Sequence, residues 1–271
     1  MTLHEALKIG EEAVGRHEAK WLVTHISGLT FEKILLDNQP LDALAKEAFL
    51  AAINRRKQGE PLQYILGRWE FMGAAIITDP RALIPRPETE LLVERALECI
   101  HTENAKVLDL CTGSGCIAVA IAKLSNAEVT AADISQQALS LAADNIALNG
   151  LKGKIRLVES DLFEGLKGQT FDIIISNPPY IPTHELKSLQ PEIQNHEPAN
   201  ALDGGYDGME IYRRLIPQSL DYLNPGGKLL LEIGPSAVKT IMKQAGYGMI
   251  QLIQDYAGLD RMLIGEKLKY V

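Results

Sequence analysis

From about Ala105 onward the chain alternates short apolar runs with longer amphipathic ones, and no other feature narrows the fold so far. "AKVLDL", "AEVTAAD", "KIRLVES" and "FDIIIS" read as buried strands. "SGCIAVAIAKL" and "SQQALSLAADNIALNG" read as helices, the second stopped by Gly150. Strands separated by helices at this spacing pair in parallel, with helices over both faces of the sheet. "GGKLLLEIG" is one more strand, after a turn "NPGG". The tail "YGMIQLIQDYAGLDRMLIGEK" has two strand-like runs, a turn and no helix, so it predicts an antiparallel pair at the sheet edge.

The first part of the chain follows another rule. Thr2 and Glu5 form a capping box with Thr2 as N-cap. Helical patches follow around Ala19–Ile26 and Phe31–Leu36. Leu41, Leu44, Ala45, Ala48, Phe49, Ala52 and Ile53 make a helical stripe closed by Gly59. Residues 1–58 therefore predict a small helical domain. Residues 59–88 are punctuated by Gly and Pro and predict a hairpin, Arg68–Phe71 with Ala75–Thr78, serving as linker. A helix begins near Glu88, with Glu88 and Glu90 suited to its dipole. Residues 89–271 form the α/β domain.

The chain carries a net charge of −8. A binder of free nucleic acid usually shows a basic face, because phosphate neutralisation supplies most of that affinity. The nearest basic run, "NRRKQ" at 54–58, reads as the charged last turn of a helix. No apolar stretch approaches a membrane span and no secretory leader pattern opens the chain, which points to the cytoplasm. Cys99, Cys111 and Cys116 fit a reduced compartment as small buried residues, and no Cys/His cluster has zinc-like spacing, so no metal is expected.

"VLDLCTGSGCIAVA" (107–120) puts Gly113 and Gly115 between the first strand of the α/β domain and its helix. Glycine there permits a tight turn and the close approach of a ligand to the backbone. Asp133 ends the second strand, 18 residues after Gly115, where such folds place a carboxylate for ribose hydroxyls. Asp161, in "ESDLFEG", ends the third strand within reach of an adenine amino group, with Leu162 beside it. A dinucleotide turn wants G-x-G-x-x-G to receive a pyrophosphate. Here Cys111, Thr112, Gly113, Ser114 and Gly115 offer no third glycine at that offset. Asp109, just before the turn, suits a cationic sulfonium or amino group. The expected cofactor is S-adenosylmethionine.

"NPPY" (177–180) then ends the apolar strand "FDIIIS". Two prolines have no N–H for a ladder, so the strand stops with Asn177 at its tip. With "KVLDLCTGSG", Asp133 and "SDLF", this motif resembles the class I S-adenosylmethionine-dependent methyltransferases that act on planar, amide-like nitrogens. "GEPLQYILGRWEF", "LIPRPETELLVERAL", "NPPYI", "LDGGYDGMEIYRRL" and "LNPGGKLLLEIG" are similar to the HemK/PrmC family of release factor glutamine methyltransferases. The resemblance spans the chain from about Gly59 on, and "NPPY" with "LIPRPETE" is its most specific part. It implies a seven-stranded, mostly parallel, doubly wound Rossmann-like sheet behind a small helical recognition domain. Two departures stand out. Cys111 occupies a turn position where the family often has glycine, predicting a slightly different first bend, and no function is attached to "PSAV" after "LEIG".

The resemblance implies catalytic roles for Asn177, Pro178 and Tyr180, with Asn177 also beside the cofactor and Pro179 in the substrate site. Asn177 Oδ1 and the Pro178 carbonyl are two acceptors for the two N–H bonds of a substrate carboxamide. The Tyr180 ring packs on the flat amide and excludes water. His184, His196, Asp207 and Glu210 read as loop and helix-start residues. The implied substrate is the glutamine of the Gly-Gly-Gln motif in class I peptide release factors, methylated at N5, with neither stable nucleic acid nor membrane as partner. Three alternatives stay open at this level: an N6-adenine DNA or rRNA methyltransferase, the ribosomal-protein glutamine methyltransferase, and a cofactor-binding regulatory protein without catalysis.

Overall fold

The computed structural model describes residues 1–234, 237–255 and 257–269. Pro235 and Ser236 of "PSAV", and Tyr256 in the tail turn, lie outside the described residues. The chain divides into two compact units, Met1–Arg68 with Gln190–His196, and Trp69–Leu189 with Glu197–Val271.

The smaller unit is helical: α1 (Leu3–Val14), α2 (Arg16–Ser27), α3 (Phe31–Leu36), α4 (Ala43–Lys57) and α5 (Leu62–Leu66). The Thr2 hydroxyl accepts from Glu5 N at 3.2 Å while the Glu5 carboxylate accepts from Thr2 N at 2.8 Å. Gly10 lets α1 meet α2, since a Cβ there would lie 2.8 Å from Ala19 Cβ. The α4 stripe is only half used. Phe49, Ala52 and Ile53 are buried against α1, α2 and α5, whereas Leu44 and Ala48 are exposed. Both arginines of the basic run are paired within the unit: Arg55 with Glu60, and Arg56 with Glu18 and Glu192. In the 59–88 stretch, α5 precedes a two-stranded sheet, β1 (Arg68–Phe71) and β2 (Ala74–Ile77).

In the larger unit α6 (Pro87–Cys99) is followed by β3 (Lys106–Leu110), α7 (Cys116–Leu124), β4 (Glu128–Asp133), α8 (Gln136–Leu148), β5 (Ile155–Glu159) and β6 (Phe171–Ser176). Helix α9 (Pro191–His196), which belongs to the smaller unit, interrupts the sequence before α10 (Glu210–Tyr222), β7 (Leu223–Glu232), α11 (Val238–Ala245), β8 (Gly248–Gln254) and β9 (Asp260–Glu266). The seven strands run β5-β4-β3-β6-β7-β9-β8, with β9 antiparallel to both neighbours and the rest parallel. Alternate side chains feed two cores. Val107, Ile173, Ile175 and Leu230 face α6 and α7, while Leu108, Ile174, Leu229 and Leu231 face α10 and α11.

Two expectations are corrected, and the helix-start reading holds for Glu210 but not for Asp207. "NPGG" lies inside β7 rather than before it: Gly226 N donates to Lys267 O at 3.0 Å, and the β6–β7 register shifts between Phe171 and Ile173. Asp161 does not end a strand, because β5 stops at Glu159. Asp207 precedes α10, where it pairs with Arg213, and Glu210 is the first residue of that helix. Among the described residues no helix is long and apolar enough to cross a membrane.

Candidate active site

Strand order reverses between β3 and β6, so their carboxyl ends splay into a crevice, the usual ligand site of open α/β sheets. A cavity of about 200 Å³ opens there. Its wall takes in Cys111–Ser114 after β3, Asp133 and Ile134 after β4, Asp161 and Leu162 after β5, and Asn177 and Pro179 after β6. The segment Arg81–Arg86 closes another side.

Backbone bonds hold the turn after β3: Thr112 N donates to Ala132 O of β4 at 3.0 Å and Gly115 N to Thr112 O at 2.9 Å. Cys111 has φ 61°, the left-handed region glycine takes freely, so the first bend keeps a glycine-like geometry despite the side chain. Burial and the Asp133 charge push its thiol up to about 12, leaving it a neutral wall group and not a nucleophile at neutral pH. Gly113 has φ 55° and open space around its absent Cβ, with only Ala82 Cβ at 3.9 Å. Gly115, at φ 77°, has a packing reason as well. A Cβ there would meet Ala142 Cβ of α8 at 2.9 Å, so this glycine lets α7 approach α8.

The three acids sit in different surroundings. Asp109 is fully buried behind the turn and outside the cavity wall. Its Oδ2 accepts from Thr112 Oγ1 at 2.5 Å and Ala118 N at 3.1 Å, which braces the turn against α7. Its Oδ1 is buried without a hydrogen-bond partner among the described residues, and burial lifts the carboxyl to about 7. Asp133 faces the cavity. Its oxygens accept from Gly113 N at 2.8 Å and Ser135 N at 2.9 Å, and burial again raises its pKa. A carboxylate has about four lone-pair sites, so acceptor capacity remains for hydroxyl groups. Asp161 is held by Arg214 of α10, Nη2 to Oδ2 at 2.8 Å, a residue with no local motif to announce it. The acids on the wall, the apolar Ile134 and Leu162 and the open backbone at Gly113 fit an adenosine-bearing cofactor.

The ladder between β6 and β7 ends at the Ser176–Leu231 pair, which leaves the carbonyls of Asn177 and Pro178 beyond it. Asn177 Nδ2 donates to Thr89 Oγ1 at 3.2 Å, and Thr89 Oγ1 donates to Glu232 Oε2 at 2.7 Å. Thr89 and Glu232 are missing from the sequence reading. Pro178 is buried and Tyr180 half-buried, both outside the cavity wall. Burial and the nearby Glu232 charge push the Tyr180 hydroxyl up to about 12, so it stays protonated. Three glycines clasp this residue. A Cβ on Gly204 would lie 2.6 Å from Tyr180 Cα, one on Gly208 would overlap the Tyr180 carbonyl oxygen, and one on Gly234 the Tyr180 ring. Ile181 N donates to Leu202 O at 2.9 Å, and Gly204 N to Ile181 O at 2.8 Å, so "LDGG" pairs with the chain just past the motif. On the other wall, the buried Glu197 carboxylate accepts from Ile84 N at 3.1 Å and pairs with Arg86, which anchors "LIPR".

Burial raises Glu232 to about 7 from an ordinary 4.5. Between these values the folded protein keeps a proton that the unfolded chain has lost. This contribution to stability is therefore full below pH 4.5 and gone above about 7. Glu232→Gln should flatten part of the decline in the urea midpoint between pH 5 and 8, with Asp109 supplying a similar remainder. An unchanged pH slope in the variant would contradict the buried, proton-retaining Glu232.

Comparison with known proteins follows this geometry. Residues 4–67 match the family model "PrmC N-terminal domain", and residues 87–196 match "Methyltransferase small domain". The release factor glutamine methyltransferase of Geobacter sulfurreducens is 42% identical over 255 residues, covering 92% of this chain and 89% of the relative. That of Thermodesulfovibrio yellowstonii is 40% identical over 259 residues, covering 93% and 92%. The chain belongs to the release factor glutamine methyltransferase family. A methyltransferase from Pyrococcus furiosus shares the fold, with a TM-score of 0.56 at 23% identity, over 83% of this chain and 99% of that one. In this family setting the helical unit corresponds to the first matched domain and the turn, Asp133 and "NPPY" to the second.

Proposed function

We propose that this protein transfers a methyl group from S-adenosylmethionine to the side-chain N5 of the glutamine in the Gly-Gly-Gln motif of class I peptide release factors. The observation that carries the reading is the placement of Asn177 on the wall of the cavity that also contains the Gly-rich turn and Asp133. The two relatives' names and near-complete coverage support the substrate.

Asp133 and Asp161 would hold the ribose and adenine of the cofactor, and the turn Cys111–Ser114 its amino-acid end. The cofactor supplies an electrophilic methyl on a sulfonium. The rest falls to the chain. A carboxamide nitrogen is a poor nucleophile, because its lone pair is shared with the carbonyl. Asn177 Oδ1 and the Pro178 carbonyl accept its two N–H bonds, which aims the nitrogen and favours the positive charge it develops. Tyr180, its backbone clasped by Gly204 and Gly208, lends a ring against the flat amide. Its hydroxyl stays protonated at neutral pH and is not a base. The proton leaves the methylated nitrogen for water afterwards. The unit Met1–Arg68 with Gln190–His196 supplies surface for the release factor, since a Gly-rich loop alone binds poorly. The cytoplasm, where translation factors work, is the compartment.

Two measurements test this. With radiolabelled cofactor, purified release factor takes up label and its Gln→Ala variant does not; equal labelling of both would overturn the substrate. In calorimetry, Asp133→Asn weakens S-adenosylhomocysteine binding by about 10–100-fold, the loss of hydrogen bonds to a charged group. Unchanged affinity would remove Asp133 from the cofactor site.

A further inference from the structure

The mechanism asks that Asn177 present its oxygen, and not its NH2, to the substrate. A carboxamide can turn either end outward, so something must decide between them. Thr89 meets the other end of Asn177 and Glu232 stands behind Thr89, both buried at 3% and 4% exposure. Glu232 Oε2 lies 2.7 Å from Thr89 Oγ1, and Thr89 Oγ1 lies 3.2 Å from Asn177 Nδ2. A hydroxyl has one proton, and the Glu232 carboxylate has none once the pH exceeds its raised value of about 7. In that ionised state the Thr89 proton is committed to Glu232, and Thr89 shows Asn177 only a lone pair. A lone pair attracts Nδ2 and repels Oδ1. Three elements fix the geometry: Thr89 in the first turn of α6, Asn177 just past β6, and Glu232 at the end of β7. Tyr212 holds the Glu232 backbone, its hydroxyl donating to the Glu232 carbonyl at 2.8 Å.

We propose that Thr89 and Glu232 are positioning residues, a two-link relay that locks the Asn177 carboxamide with Oδ1 turned to the substrate. The relay selects for an N–H-bearing group: with the amide reversed, the site would offer a donor where the substrate also brings a donor. It rests on the glutamine methyltransferase reading above.

The test compares Thr89→Val, Thr89→Ser and the double variant Thr89→Val/Glu232→Gln. Valine keeps the volume and removes the lone pair. The double variant avoids leaving a buried charge without its partner. Above pH 7, where Glu232 is ionised, release factor methylation should lose about 10–100-fold in kcat with valine, while KM and the Kd for S-adenosylhomocysteine move less than threefold. Serine should restore kcat to within about threefold. A second readout needs no substrate. The Asn177 side-chain NH2 pair, assigned by its loss in Asn177→Ala, should shift and exchange faster in 15N spectra of Thr89→Val. Wild-type kcat in folded Thr89→Val or in the double variant, serine as poor as valine, or an unmoved NH2 pair would each overturn the relay. Failure of the wild type to label release factor would sink the substrate instead, and the NH2 signals would still decide the relay.

Discussion

Asn177→Ala is expected to lower kcat on release factor by about 10²–10³-fold, the usual cost of removing one preorganised group that favours developing charge. S-adenosylhomocysteine should bind the variant within a few-fold of wild type, because on the proposed reading the adenosine end is held by Asp133 at the end of β4 and by Asp161 and Leu162 in the loop after β5. The loss should fall on kcat more than on KM, since the substrate is also gripped away from the reacting amide. Asn177→Asp is the sharper control. It keeps an acceptor of the same size, but its carboxylate has no N–H for the Thr89 lone pair. It should be impaired too, so that shape alone is separated from amide chemistry. Full activity of Asn177→Ala with intact cofactor binding would remove the two-acceptor grip.

The second large effect is on stability. Gly208→Ala should cost roughly 2–5 kcal/mol in urea unfolding, combining left-handed backbone strain with overpacking. Gly208 has φ 72°, and a Cβ there would overlap the Tyr180 carbonyl, which is backbone and has little room to yield. Gly150→Ala is the matched comparison: φ is 69° but nothing lies within 4 Å of the new Cβ. It should cost only about 1 kcal/mol, the strain alone. Equal costs for the two would mean that the clasp on Tyr180 carries no packing energy, and that the run "LDGGYDG" needs another explanation.

The parallel strands were legible in the sequence because burial on both faces leaves unbroken Val, Ile and Leu runs, as in "KVLDL" and "FDIIIS", and Gly or Pro marks their ends. Asn177 was legible for the same reason, as the residue where such a run meets two prolines. Helix α4 was over-read, because a periodic stripe shows which face is apolar but not how much of it finds a neighbour. "NPGG" was read as a turn from its composition, whereas the partner that draws it into β7 is Lys267, far along the chain. The same distance hides the relay. Thr89 and Asn177 are 88 residues apart, Thr89 and Glu232 143, and nothing local distinguishes Thr89 from any threonine at a helix start. Gly204, Gly208 and Gly234 carry a structural reason that only Tyr180 supplies, since a glycine in sequence does not say whose atoms it makes room for.

One mass spectrum tests the central claim most directly. Release factor is incubated with the protein and S-adenosylmethionine, digested, and the peptide bearing Gly-Gly-Gln is fragmented. The account predicts one added methyl group on the glutamine side-chain amide nitrogen, absent without enzyme and absent with Asn177→Ala. A methyl group elsewhere on the release factor, or an unmodified peptide under conditions where the protein binds S-adenosylhomocysteine, would contradict it.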